Sequence, residues 1–134
     1  MKIYPFRLKP NLDLKQSLKD WAIDNQIECG FILTAIGSLK QAAIRFANQE
    51  KSNILYDKFE IISLNGTVAC SGVHLHILIS NGEGKTIGGH LDYGCIIYTT
   101  AEIVIGTTKA WRFARNLDPE TSYNELEIFS CRES

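Results

Sequence analysis

The sequence lacks the features that mark membrane and secreted proteins. It contains no run of 18 apolar residues, so no membrane-spanning helix is predicted. The opening MKIYPFRL has neither the apolar core nor the cleavage site of a signal peptide. The four cysteines, Cys29, Cys70, Cys95 and Cys131, include no C-x-x-C pair. We therefore expect a cytoplasmic protein with free thiols and no membrane partner.

An excess of basic charge is also missing. Lysine and arginine number 14 and aspartate and glutamate 15, so the formal net charge is −1. Proteins that bind duplex DNA tightly draw much of their affinity from neutralised phosphates and usually carry a basic excess. The charge balance thus argues against strong duplex binding. The length of 134 residues and the 45% hydrophobic content suit a single globular domain at residues 1–134.

The spacing of apolar residues predicts one helix followed by strands. Pro5 marks residues 3–8 as an edge strand, because proline cannot donate to a central ladder. A candidate N-cap at Asn11 or Asp13 precedes an apolar face at helical spacing, which predicts a helix of about four turns ending near Gln26. Alternating or apolar runs then predict strands at 30–37, 40–47, 53–57, 58–69, 73–80, 85–91, 99–107, 111–115 and 125–130.

This pattern predicts an α+β fold with a mainly antiparallel sheet and one N-terminal amphipathic helix. A short second helix around Gly94–Tyr98 is left open, since Tyr93-Gly94 precedes a brief apolar run. Two strand segments, CIIYTT (95–100) and EIVIG (102–106), are apolar on both faces. One helix cannot cover both faces of a large sheet, so further helices or another subunit must do so. Self-association is therefore expected.

All three histidines of the chain lie within the 17 residues from His74 to His90. His74 and His76 are two positions apart in a predicted strand, so both point to the same face. If residues 82–84 form the hairpin loop that follows, His76 lies directly opposite His90. A four-residue loop would turn His90 away unless a glycine bulge at 88–89 restored it. The sequence leaves both routes open.

Three imidazoles from adjacent strands are typical of an open metal site, with His74, His76 and His90 as the ligands. Imidazole is the commonest metal ligand, and three such ligands leave a coordination position free. Zinc is the first candidate, and nickel, copper, iron and cobalt are not excluded. Cys70 would close the site if its strand were unbroken, although Ser71-Gly72 intervene. The alternative is a set of hydrogen-bonded or half-exposed histidines without a metal ion.

Two glutamates, Glu60 and Glu102, are candidates for a catalytic role. They lie in strands rich in isoleucine and valine, where an unpaired carboxylate is costly to bury. In a functional interpretation, one of them accepts a hydrogen bond from a ligating imidazole or acts as a general base beside a metal-bound water. In a structural interpretation, one of them pairs with an arginine, and the candidates are Arg7, Arg45, Arg112 and Arg115. No complete catalytic constellation can be named.

A small basic cluster near the C-terminal end contains aromatic residues as well. Lys109, Arg112 and Arg115 surround Trp111 and Phe113. Basic and aromatic side chains together can bind single-stranded nucleic acid. In a near-neutral chain, three such charges are more often solvent-exposed surface residues than a nucleic-acid site.

Several segments spread over nearly the whole chain carry a resemblance to a known family. They are ILTAIGSLKQAAIRF (32–46), FEIISLNGTV (59–68), HLHILISNGEGKTIGGHL (74–91), TTAEIVI (99–105) and FARNLDPETSYNELEI (113–128), together with Arg7. In this order they resemble the PPC (plants and prokaryotes conserved) domain family. The resemblance implies an α+β domain that assembles as a homotrimer and a metal ion held by His74, His76 and His90.

The resemblance also bears on DNA. In plant members the domain follows AT-hook motifs that contact A·T-rich DNA, and prokaryotic members are commonly called DNA-binding by analogy. No Arg-Gly-Arg core of an AT-hook occurs in this sequence. DNA is thus a partner implied by the family and weakly supported by the residues.

We expect a metal-binding homotrimer with a binding or regulatory role, for which the family implies DNA as the partner. The alternative is a metal-dependent enzyme of the hydrolase or lyase type that acts on a small molecule. A third interpretation is a trimer that its metal ions stabilise. DNA binding predicts steep salt dependence, catalysis predicts a pocket at the ion, and a structural role predicts loss of the trimer on chelation.

Overall fold

An antiparallel sheet and one helix form the framework of residues 1–131, the part of the chain that the computed structural model describes. In chain order the elements are β1 (Lys2–Leu8), α1 (Leu14–Asp24), β2 (Gly30–Arg45), β3 (Asn53–Ala69), β4 (Gly72–Ser80), β5 (Thr86–Leu91), β6 (Ile96–Thr107), β7 (Trp111–Leu117) and β8 (Asn124–Ser130). The predicted mainly antiparallel α+β fold with one helix near its start is confirmed.

Six strands form one sheet in the order β1-β6-β2-β3-β4-β5, while β7 and β8 form a separate hairpin. All of these pairings are antiparallel. β1 lies at the edge of the sheet, as Pro5 predicts. The end of β2 also pairs with β5, where Arg45 lies opposite His90. The sheet therefore curls until β5 returns to β2, which brings the last histidine beside an arginine distant in sequence.

The helix is fixed at its start by Asp13. The Asp13 carboxylate accepts hydrogen bonds from the backbone N–H of Gln16 (2.9 Å) and from that of Gly94 (2.6 Å). This is one of the two predicted N-caps, and it also joins the helix to the turn before β6. The helix spans 11 residues and ends at Asp24. It is about one turn shorter than predicted, because Gln26 adopts a left-handed φ of 53°.

The core lies between α1 and one face of the sheet. The helix packs against β3, β4 and β6. Its fully buried side chains are Leu14, Leu18 and Ala22. Every second side chain of β4 is buried in the same core, namely Leu75, Ile77 and Ile79. The positions between them point away from the core, so both histidines of β4 stand on the outer face of the sheet.

Some predicted boundaries are wrong. The segments 30–37 and 40–47 form one strand, and so do 53–57 and 58–69. Register shifts near Leu39–Gln41 bend β2 without ending it, so the polar residues there are not a turn between strands. The short helix at Gly94–Tyr98 is not formed. Residues 96–98 begin β6, since the Ile97 backbone exchanges hydrogen bonds with the segment that precedes α1.

All four cysteines are free, as expected. Cys29 and Cys95 are buried, and Cys70 and Cys131 are exposed. Burial raises the pKa of the Cys95 thiol to about 12, which keeps it in the unreactive protonated form. Within residues 1–131 there is no helix with the length and apolar content needed to cross a membrane.

Candidate metal centre

The hairpin of β4 and β5 brings the three histidines together. Asn81 lies opposite Lys85, with its backbone N–H donating to the Lys85 carbonyl (2.9 Å), so residues 82–84 form the loop. With that loop, His76 is the direct partner of His90. The register expected for a three-residue loop is therefore confirmed, and no bulge is needed to turn His90 toward the other histidines.

The three imidazole rings form a compact triangle. Their centroids are 5.2 Å apart for His74 and His76, 5.3 Å for His74 and His90, and 5.9 Å for His76 and His90. One ring nitrogen from each histidine lies within 4.8 Å of the others. Side chains this close have room for a single ion between them, because zinc–nitrogen bonds are about 2.0–2.1 Å long.

Burial and the neighbouring positive charges favour neutral imidazoles in this triangle. Burial, followed by the charge of Arg45, lowers the pKa of His90 to about 4. Burial, followed by the charge of Arg115, also lowers the pKa of His74. Neutral imidazole is the form that donates a lone pair to a metal ion. Both rings are therefore in the ligating form near neutral pH.

A ring nitrogen of His90 gives a further indication that the site takes a ligand. The Nδ1 atom of His90 is buried, and no hydrogen-bond partner for it occurs among residues 1–131. A buried polar atom without a partner costs about 1–3 kcal/mol. The donor set, three imidazoles without a thiolate, suits zinc and other borderline metals. The residues present thus fit a metal ion with at least one open position.

Two clefts adjoin the histidines. One has a volume of about 560 Å³ and reaches His74 and His90, and the other, of about 340 Å³, reaches His74 and His76. Arg115 and Glu125, from β7 and β8, line both of them. The β7–β8 hairpin therefore forms a wall beside the histidines, and each histidine side chain borders at least one cleft.

The predicted catalytic glutamates lie elsewhere. Glu60 is exposed and pairs in the sheet with Ser38 and Ser80. Glu102 is exposed and lies opposite Arg7, in a different depression of the surface. Neither glutamate lines a cleft that reaches the histidines.

The expected ion pairs of these glutamates are also not formed within residues 1–131. The Arg7 guanidinium donates instead to the Thr100 hydroxyl (2.9 Å) and the Thr99 carbonyl (3.1 Å). Cys70 lies in the turn between β3 and β4, outside the set of ligand atoms, so the histidine triangle is not closed by a thiolate.

The basic cluster around Trp111 and Phe113 is divided between two faces of β7. Arg112 packs over the ring of Phe129, 4.5 Å from its centroid. Arg115, three positions later and therefore on the opposite face, donates to the Thr67 hydroxyl (3.0 Å) beside the histidines. The basic and aromatic cluster seen in the sequence thus does not form one continuous patch.

Three charged residues that line the clefts beside the histidines were not predicted from the sequence as site residues. They are Arg45, Arg115 and Glu125. The sequence signal for Arg115 and Glu125 is the two-stranded pattern of FARN and ELEI, but the docking of that hairpin on the histidine side is a tertiary contact. Arg45 reaches the site only because the sheet curls back on itself.

Curated relatives match the chain over its whole length. The sequence is 45% identical over 134 residues to the bifunctional protein GlmU of Synechococcus sp. (strain JA-3-3Ab). This alignment covers 100% of this chain and 22% of that protein. A second Synechococcus GlmU is 48% identical over 96% of the chain and 20% of its own length. The chain spans about a fifth of the length of the curated relatives it matches.

Solved structures share the fold. A hypothetical protein from Salmonella enterica superposes with a TM-score of 0.94 at 38% identity, covering 98% of this chain and 95% of that one. A metal-containing protein from Archaeoglobus fulgidus has a TM-score of 0.79 at 25% identity, covering 93% and 92%. A proposed DNA-binding protein from Ralstonia eutropha has a TM-score of 0.79 at 25% identity, covering 92% and 90%.

A protein-family model matches most of the chain. Residues 1–109, from β1 to the end of β6, match the Plants and Prokaryotes Conserved (PCC) domain, the family named PPC above. The β7–β8 hairpin lies beyond the matched residues. The chain belongs to the Plants and Prokaryotes Conserved domain family.

Proposed function

We propose that each chain binds one divalent metal ion, zinc in the first place, through His74, His76 and His90. The observation that carries the proposal is the convergence of three imidazole nitrogens within 4.8 Å of one another. The partnerless, buried Nδ1 atom of His90 supports it. So does the Archaeoglobus fulgidus protein of the same fold, which is described as metal-containing.

Held by these three histidines, the ion would supply a Lewis acid beside the clefts. The two strands fix the positions of the ligands. His74 and His76 are held two positions apart on β4, and His90 is held opposite His76 on β5. A protein with such a site is suited to binding a small molecule and to a regulatory role that depends on it.

We also propose that the protein, as one PPC-like domain over residues 1–134, assembles as a homotrimer. The outer face of the sheet supports self-association. Ile36 and Ile62 are 58% and 54% exposed there. They are adjacent across β2 and β3, because Gly37 is paired with Ile61. Exposed isoleucines side by side on a strand pair are typical of a covered interface.

Zinc binding and subunit number are measured together. Metal-free protein is dialysed against buffered zinc, and metal content and mass by light scattering are determined before and after. We expect about one zinc ion per chain and a mass three times that of the 15.0 kDa chain. Zinc content near zero would contradict the metal site, and a mass of one chain would contradict the trimer. A trimer that dissociates on removal of zinc would assign the ion a structural role.

DNA is the second candidate partner, since the Ralstonia eutropha protein of the same fold carries that description. The physical support is limited to scattered cations. The net charge is −1, and Arg112 and Arg115 lie on opposite faces of β7. Any duplex binding by this chain is therefore expected to be weak at physiological salt.

A metal-dependent enzyme of the hydrolase or lyase type is the alternative, because clefts open directly onto the histidines. Glu60 and Glu102 line neither of these clefts. Glu125 lines both clefts and is the carboxylate whose charge raises the pKa of His74 against the larger effects of burial and Arg115. In an enzyme, Glu125 would be the group to test as acid or base.

A further inference from the structure

Two arginines flank the histidine triangle, one on each side. Arg45 is the direct partner of His90 across β2 and β5. Residues paired in this way have Cβ atoms about 4.5–5.5 Å apart. On the other side, the Arg115 guanidinium donates to the Thr67 hydroxyl (3.0 Å), and Thr67 is the direct partner of His74 across β3 and β4. Both arginines line the cleft of about 560 Å³.

Neither guanidinium forms an ion pair with a carboxylate of the described residues. Within residues 1–131 the ion pairs are Lys15 with Asp92 and Lys85 with Glu83, so no carboxylate lies within 4.0 Å of Arg45 or Arg115.

The hydrogen bonds of the two arginines are few as well. Arg45 donates to the Gln49 carbonyl (3.2 Å) and Arg115 to the Thr67 hydroxyl. A guanidinium has five N–H donors, so most donors of both groups are available to a ligand. Both side chains are half-buried, which strengthens the attraction they exert on an anion.

Two carboxylates share the cleft and set a limit on its positive charge. Glu50 and Glu125 line it together with the arginines. The Glu125 carboxylate accepts a hydrogen bond from the Thr121 hydroxyl (3.1 Å) rather than from Arg115. The formal charges of the two arginines and two glutamates cancel, so a divalent ion on the histidines gives the cleft a net positive charge.

We propose that this cleft binds a small molecule through an oxyanion group, a carboxylate or a phosphate, held between Arg45 and Arg115 next to the histidine triangle. The inference rests on the metal site proposed above. The planar guanidinium presents paired donors that match the oxygens of carboxylates and phosphates. The volume of about 560 Å³ lies within the range of small-molecule sites, about 300–1,000 Å³.

Inorganic phosphate serves as the probe, titrated calorimetrically into zinc-loaded protein at low ionic strength. We expect saturable binding that weakens as salt is added. Arg45→Gln and Arg115→Gln are each expected to weaken phosphate binding about tenfold or more, because each removes charged hydrogen bonds. Arg45→Lys and Arg115→Lys keep the charge but lose the planar fork, and we expect intermediate affinities. If a glutamine variant fails to fold, the lysine variant at the same position is used to test the proposal.

Arg112→Gln is the matched control, since Arg112 lies on the opposite face of the same strand as Arg115. It is expected to bind phosphate like the native protein. Zinc content is measured for every sample, so the two proposals fail separately. Zinc-loaded protein that does not bind phosphate, or that binds it equally after either glutamine substitution, would overturn the anion site and leave the metal site standing.

A native protein that takes up no zinc would overturn the metal site. Displacement of phosphate by duplex DNA, with the same dependence on Arg45 and Arg115, would overturn the small-molecule ligand.

Discussion

Replacement of His90 by alanine is expected to weaken zinc binding by more than about 100-fold, since loss of a mere outer partner of a metal ligand already costs about 10–100-fold. His90 is the one ligand contributed by β5, and its ring lies 5.3 Å from His74 and 5.9 Å from His76. Without it, the remaining pair on β4 is an H-x-H motif with two ligands. Zinc affinity is measured by competition with a chromophoric chelator.

Thr86→Ala is the matched control for this substitution. Thr86 is exposed, on the same strand as His90 and, four positions away, on the same face. It is expected to bind zinc like the native protein. Circular dichroism and thermal unfolding of both variants establish that they are folded. A folded His90→Ala protein with native zinc affinity would contradict the assignment of His90 as a ligand.

Replacement of Gly66 by alanine is expected to destabilise the protein by about 2–6 kcal/mol, the sum of backbone strain and a forced shift of the neighbouring strand. Gly66 has a φ of 140°, a conformation that residues with a side chain rarely adopt. It is paired with Leu75, between the two histidines of β4. An added Cβ atom would overlap the His74 carbonyl oxygen and lie 3.0 Å from the Leu75 Cα atom.

Gly82→Ala is the control for that substitution. Gly82 lies in the hairpin loop, and an added Cβ atom meets no atom within 4 Å. We expect a change within about 0.5 kcal/mol in the free energy of unfolding, measured by urea denaturation. Because the strain in Gly66→Ala acts on the backbone that carries His74, zinc affinity should fall in that variant as well. Equal stabilities for the two glycine variants would contradict the close approach of β3 and β4 at Gly66.

The register of the histidine hairpin could be narrowed to two alternatives from the sequence, because it depends on neighbouring residues, and the structure adopts the three-residue loop. Loop length and strand alternation determine which side chains face each other, and both are local properties of residues 74–90. The helix start was predictable to one of two residues, Asn11 or Asp13, for the same reason, since the cap and the apolar spacing lie within two turns. The full lengths of β2 and β3 could not be predicted, because the residues of a bulge resemble those of a turn in sequence.

The surroundings of the histidines depend on contacts between distant segments. Arg45 reaches His90 through the curl of the sheet, 45 positions along the chain. Arg115 reaches Thr67 through the docking of the β7–β8 hairpin. Composition and periodicity carry no information on either contact. The same limit explains why Glu60 and Glu102, which stand out in sequence as acids among isoleucines, proved to be exposed residues away from the clefts.

The most direct test of the proposed metal centre is anomalous diffraction at the zinc absorption edge from crystals of the zinc-loaded protein. We expect one anomalous peak per chain, at bonding distance of about 2.0–2.1 Å from a nitrogen of each of His74, His76 and His90. Zinc-loaded crystals without a peak inside this triangle, or with the ion held by other residues, would contradict the metal centre.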